Sequence, residues 1–184
     1  MKKNEQNKLI KSYAEALYET AAKNGEEALL LSESESFAAE LASNSKIIGY
    51  LSNPIWDNQG KKEALTEIAA IKKMSKPMVG LLSVMADNGR VGMLVEVLKE
   101  FKQIYYHRKH IVPVTVNTVI ELSESQKNSL MAALEKYTGN KVVVKYKIRP
   151  EILGGLLIEC GSELIDDSVK GKLERMELLM KGTI

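Results

Sequence analysis

The sequence predicts a mainly α-helical fold with a small α/β part: an N-terminal six-helix bundle over residues 1–106, then a C-terminal α/β domain over residues 107–184. Apolar residues recur at three- and four-residue spacing nearly without interruption as far as Tyr105, which is the period of helices with a buried face. Near Arg108 the pattern switches to β-branched runs of strand length. The composition agrees, since 45% hydrophobic residues supply enough Leu, Ile, Val and Met for packed cores and argue against disorder.

The first helix is expected from about Asn7 to Lys23, with Ile10, Tyr13, Ala14, Leu17 and Ala21 on its apolar side. A second row (Leu9, Tyr13, Ala16) widens that sector, and Asn24-Gly25 supplies the stop. Leu30, Phe37 and Leu41 mark a second helix. A short third (Ile47, Ile48, Leu51) is halted by Asn53-Pro54, because proline biases its predecessor away from helix. The fourth runs from about Asn58 to Lys73 on Ala64, Leu65, Ile68 and Ile71. The fifth opens at Ser75-Lys76-Pro77, with serine as cap and proline in the first turn. It carries Met78, Val79, Leu82, Met85 and Ala86 to the break at Asn88-Gly89. In the sixth, Val91, Leu94, Leu98, Phe101 and Tyr105 form one stripe and Met93, Val97 and Ile104 another, so two of its sides are expected to be buried. Helices this short, joined by brief connections, describe a bundle.

Beyond the switch, Ile111–Val119 reads as a strand that Pro113 restricts to an edge or a strand start. Ser123-Glu124-Ser125-Gln126 is a capping box opening a helix on Leu130, Leu134 and Tyr137, closed by Gly139. Lys141–Ile148 and Gly155–Gly161 are two further strands. A last amphipathic helix follows Asp166-Asp167-Ser168 and carries Val169, Leu173, Met176 and Met180.

Signals for chemistry are weak. No apolar run is long enough for a bilayer span, and the basic start lacks the apolar stretch of a signal peptide. With 26 Lys and Arg against 24 Asp and Glu, and basic pairs lacking stacking aromatics, nucleic acid is not an expected partner. His107 and His110 stand three apart with no carboxylate or thiol to complete a metal site. Cys160 lies in a strand pattern, where a thiol behaves as a small buried hydrophobe. Gly154-Gly155 matches no phosphate-loop spacing and reads as a turn or bulge, while Asp166-Asp167 reads as a helix cap. No catalytic residue, cofactor or metal is expected.

Several segments taken together resemble one family. Tyr13-Ala14-Glu15-Ala16-Leu17-Tyr18-Glu19-Thr20-Ala21 is similar to the first-helix signature of the delta subunit of F-type ATP synthases, relatives of the mitochondrial oligomycin-sensitivity-conferring protein. Leu51-Ser52-Asn53-Pro54, Asp87-Asn88-Gly89-Arg90-Val91 and Leu94–Phe101 resemble its mid-chain landmarks. Arg149–Ile158 and Ile165–Leu173 resemble its C-terminal ones, in the same order. Arg149 stands where that family usually has Asp, and Asp167 where it usually has Gly, although Asp tolerates turn conformations.

The resemblance implies a stator role without catalysis. The bundle's first and fifth helices would form a groove for the N-terminal helix of an alpha subunit. The C-terminal domain would join the C-termini of the b-subunit dimer. The expected partner-binding residues are Tyr13, Ala14, Leu17 and Ala21 with Val79, Leu82, Met85 and Ala86. Asn88, Gly89, Arg90, Gly154, Gly155, Asp166 and Ser168 are the expected structural motifs. The implied location is the cytoplasmic face of a bacterial cell membrane, as a peripheral protein held through the complex. On the residues alone, a helical scaffold or adaptor outside the synthase, gripping another amphipathic helix, stays open.

Overall fold

Helix α1 (Lys3–Asn24) buries the alanine–leucine stripe of the sequence, with Ala14, Leu17 and Ala21 all nearly inaccessible. It ends where Gly25 takes φ +68° and the Glu26 N–H reaches back to the Ala21 carbonyl at 3.0 Å, closing the last turn as a left-handed glycine does. The computed structural model describes residues 3–44, 49, 58–161 and 163–182, and the expected third helix with its Asn53-Pro54 stop lies outside them. Helix α2 (Glu27–Ser43) buries Leu30, Phe37 and Leu41. Helix α3 (Asn58–Ile71) buries Leu65 and Ala69, while Ile71, expected on its apolar stripe, is exposed.

Helix α4 (Lys76–Asp87) corresponds to the fifth helix of the sequence reading. Ser75 occupies its cap position, but its side chain does not cap. Its N–H and hydroxyl instead donate to the Glu33 carboxylate, at 3.0 and 2.6 Å, so an acid from α2 sits at the positive end of α4. A 3-10 turn (Val91–Met93) leads into α5 (Leu94–Arg108). Val91, Leu94, Val97, Leu98 and Phe101 of this stretch are buried, with Met93 and Ile104 partly so, which accounts for two apolar stripes. These side chains share one core with those of α1–α4, and Phe101 meets Tyr18 with ring centroids 6.4 Å apart.

The chain divides into two compact units, Met1–Tyr105 and Tyr106–Ile184. In the second, β1 (Ile111–Thr118), α6 (Glu124–Thr138), β2 (Lys141–Ile148), β3 (Leu156–Cys160) and β4 (Glu163–Asp166) build a four-stranded sheet in the order β2-β1-β3-β4. β1 and β2 are parallel, joined through α6, while β3 and β4 run antiparallel. The capping box of α6 is complete, because Ser123 and Gln126 exchange side-chain and backbone hydrogen bonds. Val114, Val116, Val142, Ile158 and Cys160 form the core with Leu134, and Leu130 packs against it.

β1 lies inside the sheet and not at its edge, and Pro113 fits the strand-start alternative, since pairing with β3 begins only at Val114. One strand expectation needs correction. β4 was not expected at all: its Glu163-Leu164-Ile165-Asp166 is too short to show alternation. Helix α7 (Val169–Met180) has the expected period, but its apolar stripe is open, with Leu173 53% and Met180 88% exposed.

Candidate functional site

A groove of about 380 Å³ runs between α1 and α4. Tyr13, Ala16, Leu17 and Thr20 line one side, and Pro77, Gly80, Leu81 and Val84 the other. Gly80 leaves part of the wall open, since a Cβ built there would meet nothing within 4 Å. Val84 is 48% exposed, an apolar side chain that the bundle itself does not cover. The groove offers apolar wall, small residues for close approach and few charges, which suits the apolar face of a helix.

The expected partner-binding set coincides only partly with this surface. Tyr13 and Leu17 line the groove. Ala14, Ala21, Leu82, Met85 and Ala86 do not, because their side chains are buried in the bundle core, and Val79 packs against that core. Leu17 itself is 3% exposed, so it serves the core more than the groove. The physical reason is that three-and-four spacing picks out the most apolar stripe of each helix, and that stripe is the one the protein buries. The groove-lining residues flank it. Ala16 and Gly80 were legible as small residues beside an apolar stripe, and a glycine inside a helical pattern marks a close approach or a gap.

The Asn88-Gly89-Arg90 landmark closes α4. The Gly89 N–H bonds Ala86 and the Arg90 N–H bonds Met85 at 2.9 and 2.8 Å, with Gly89 at φ +63°. Arg90 then donates to the Tyr13 hydroxyl at 3.0 Å, fixing the upper wall of the groove to the α4 stop. Sequence spacing could not pair residues so far apart in the chain.

The C-terminal motifs form one junction. The Asp167 N–H bonds the Leu156 carbonyl and the Val169 N–H bonds the Gly154 carbonyl, each at 3.0 Å, so the glycine pair runs against the entry to α7. Gly155 has φ +75°, and a Cβ there would collide with the Asp167 carbonyl oxygen. Ser168 caps α7 by accepting from the Gly171 N–H at 3.0 Å. Asp166 accepts from the Ser168 N–H at 2.8 Å. Hydrogen bonding from the Ser168 hydroxyl, then from its backbone N–H, with smaller contributions from Arg175 and Lys172, holds the Asp166 carboxyl below the usual carboxylate range. Gly171 leaves room for this carboxylate, which any side chain at that position would strike. Asp167 is not among the residues with positive φ, so its position makes no demand for glycine, and its carboxylate pairs with Lys172 at 2.6 Å.

Cys160 is buried and its thiol is pushed up by that burial, which suppresses the reactive thiolate. Among the described residues no group of three or more His, Cys, Asp or Glu could hold a metal ion. No helix among them is long and apolar enough to cross a membrane.

Residues 9–180 match the family model described as ATP synthase delta (OSCP) subunit. The chain is 29% identical over 177 residues to the ATP synthase subunit delta of Geotalea uraniireducens, covering 96% of this chain and 98% of that one. It is 32% identical over 171 residues to the subunit delta of Hyphomonas neptunium, covering 92% and 94%. Its fold matches a chain in the cryo-EM structure of the Toxoplasma gondii mitochondrial ATP synthase hexamer with a TM-score of 0.74. That match has 20% identity and spans 96% of this chain and 99% of that one.

Two substitutions test the junction. Gly155→Ala meets both left-handed strain and a backbone collision, and should lose about 2 kcal/mol or more in denaturant unfolding followed by circular dichroism. Gly161→Ala, where φ is +60° but nothing lies within 4 Å, isolates the strain and should cost clearly less; equal losses would mean that the close approach is unimportant. For Asp166 the folded pKa lies below the unfolded value of about 3.9, so its contribution is present above that pH and is lost as pH falls through the folded value. Asp166→Asn should therefore flatten the acid limb of a melting-temperature profile below about pH 4, and an unchanged limb would remove Asp166 from the account.

Proposed function

This chain belongs to the ATP synthase delta (OSCP) subunit family, and we propose that it works as a tether with one helix-binding groove and a separate stalk-binding surface. It is a structural peripheral-stalk subunit and not a catalytic one, and its association with the membrane is through the synthase.

In this reading the working parts are a six-helix bundle over residues 1–106 and an α/β domain over residues 107–184. The α1–α4 groove receives the N-terminal amphipathic helix of an alpha subunit in the catalytic head. The observation that carries this is an apolar groove between two helices whose wall includes an exposed valine and an unfilled glycine. The C-terminal unit joins the C-termini of the b-subunit dimer, and the open apolar stripe of α7 supports that attachment. Its site of action in this reading is the cytoplasmic face of the cell membrane, which the bacterial origin of relatives such as those of Geotalea and Hyphomonas supports.

Function follows from mechanics. A stator link needs neither acid nor base; it needs two attachments that outlast a turnover of the rotor. Helix-in-groove docking supplies one through apolar anchors at i, i+3, i+4 and i+7. Nanomolar attachment requires about −12 kcal/mol, which is why a broad apolar contact is used in place of a few surface ion pairs.

Gly80→Phe gives the sharpest test of the groove. The new ring enters open space and replaces a mid-helix glycine, which by itself costs about 0.5–1 kcal/mol relative to alanine, so the fold should be unharmed. Calorimetry with an alpha-subunit N-terminal peptide should show affinity lowered at least about tenfold. Wild-type affinity in a well-folded variant would place the peptide elsewhere.

A further inference from the structure

The sheet of the C-terminal unit has two unlike faces. Val112, Val114, Val116, Val142, Val144, Tyr146, Ile158 and Ile165 belong to the core beside α6. Strand alternation places Lys141, Val143, Lys145 and Lys147 of β2 on the opposite face. Register then sets Thr115 beside Lys145 and Asn117 beside Lys147, followed by Leu157 and Glu159 of β3 and Leu164 of β4.

Charge on this face is unevenly satisfied. Glu159 accepts from the Asn117 side-chain amide at 3.1 Å, and Asp166 is held by Ser168. The side chains of Lys141, Lys145, Lys147 and Arg149 make no ion pair or hydrogen bond among the described residues, and all four are exposed. Elsewhere in this unit Lys127, Lys172 and Lys181 each hold a carboxylate partner. Lysines on an edge strand also discourage strand-to-strand aggregation. That role does not explain why the same face carries apolar side chains in the open, with Val143 45% and Leu164 63% exposed. Arg149, Leu157 and Leu164 further line a cleft of about 500 Å³ beside α7, but Glu151, Asp166 and Glu174 line it too, so the basic row ends at Arg149.

Asn117 in the middle of this face is fully buried and Leu157 half-buried, so the accessible part is the β2 row with Val143, and Leu164 on β4. We propose that this exposed margin of the sheet face is a docking surface for an acidic amphipathic helix of the stalk partner, with partner carboxylates over the Lys141–Lys145–Lys147–Arg149 row and apolar side chains over Val143 and Leu164. The proposal rests on the reading that the C-terminal unit holds the b-subunit dimer, and adds the chemistry of the segment it holds. The positive row guides approach and fixes register, and the apolar strip supplies the contact area. Attachment here is therefore more salt-sensitive than attachment in the α1–α4 groove.

The test is titration of the full chain with a soluble C-terminal fragment of the b-subunit dimer at low and physiological salt. The Lys145→Glu/Lys147→Glu variant should bind at least about tenfold more weakly with a flatter salt dependence, while Lys145→Arg/Lys147→Arg stays near wild type. Circular dichroism checks the fold, and Lys145→Gln/Lys147→Gln should shift affinity in the same direction by less. Wild-type affinity and salt slope in the folded Glu variant would overturn the proposal while leaving the tether reading intact. A wild-type chain that fails to bind the fragment would overturn both. Stronger binding to vesicles rich in anionic phospholipid than to the fragment, abolished by the same Glu changes, would make the face a lipid contact and overturn the helix assignment.

Discussion

Close packing of α1 against α4 is the constraint on which the helical unit depends. Ala14, Ala21 and Ala86 are completely buried in the same core as Met78 and Met85, and side chains that small let helix backbones approach closely. The larger Leu17 and Leu82 fill what remains. With the dominant stripe of each helix consumed in this way, the flanking residues Ala16, Thr20, Gly80 and Val84 are left facing outward along the seam. The groove is thus a by-product of the packing. It stays open where Ala16, Thr20 and Gly80 are too small to fill it.

This explains both what the sequence disclosed and what it hid. Helix positions, the strands Lys141–Ile148 and Leu156–Cys160, the Ser123–Gln126 box and the stops at Gly25 and Gly89 were legible, since each rests on local periodicity or on a left-handed backbone that glycine alone adopts cheaply. Of the residues expected to meet a partner, only Tyr13 and Leu17 line the groove. Periodicity reports how apolar a stripe is, and cannot tell a stripe buried within the chain from one kept for a partner. The same ambiguity ran the other way in α7, whose Val169–Leu173–Met176–Met180 stripe has the period of a core helix and yet lies open.

Long-range polar contacts were invisible in principle. Arg90 to Tyr13 and Glu33 to Ser75 join residues distant in sequence, and each ties the end of one helix to the flank of another. The glycine pair was recognised as a turn, but its partner was not. Only the register of β3 with β4 brings Gly155 beneath Asp167, turning two separate motifs into one junction. In each case the residue type was informative, and the topology supplied its meaning.

A stator subunit is defined by what it prevents, so the decisive measurement is made on the whole assembly. Membranes stripped of heads and of this chain are given back heads, with and without the chain, and ATP-driven proton pumping is recorded. The account predicts that adding the chain restores pumping, because only a molecule attached at both ends can keep the head from turning with the rotor. Rebound heads that hydrolyse ATP equally fast and pump no better when the chain is present would contradict it.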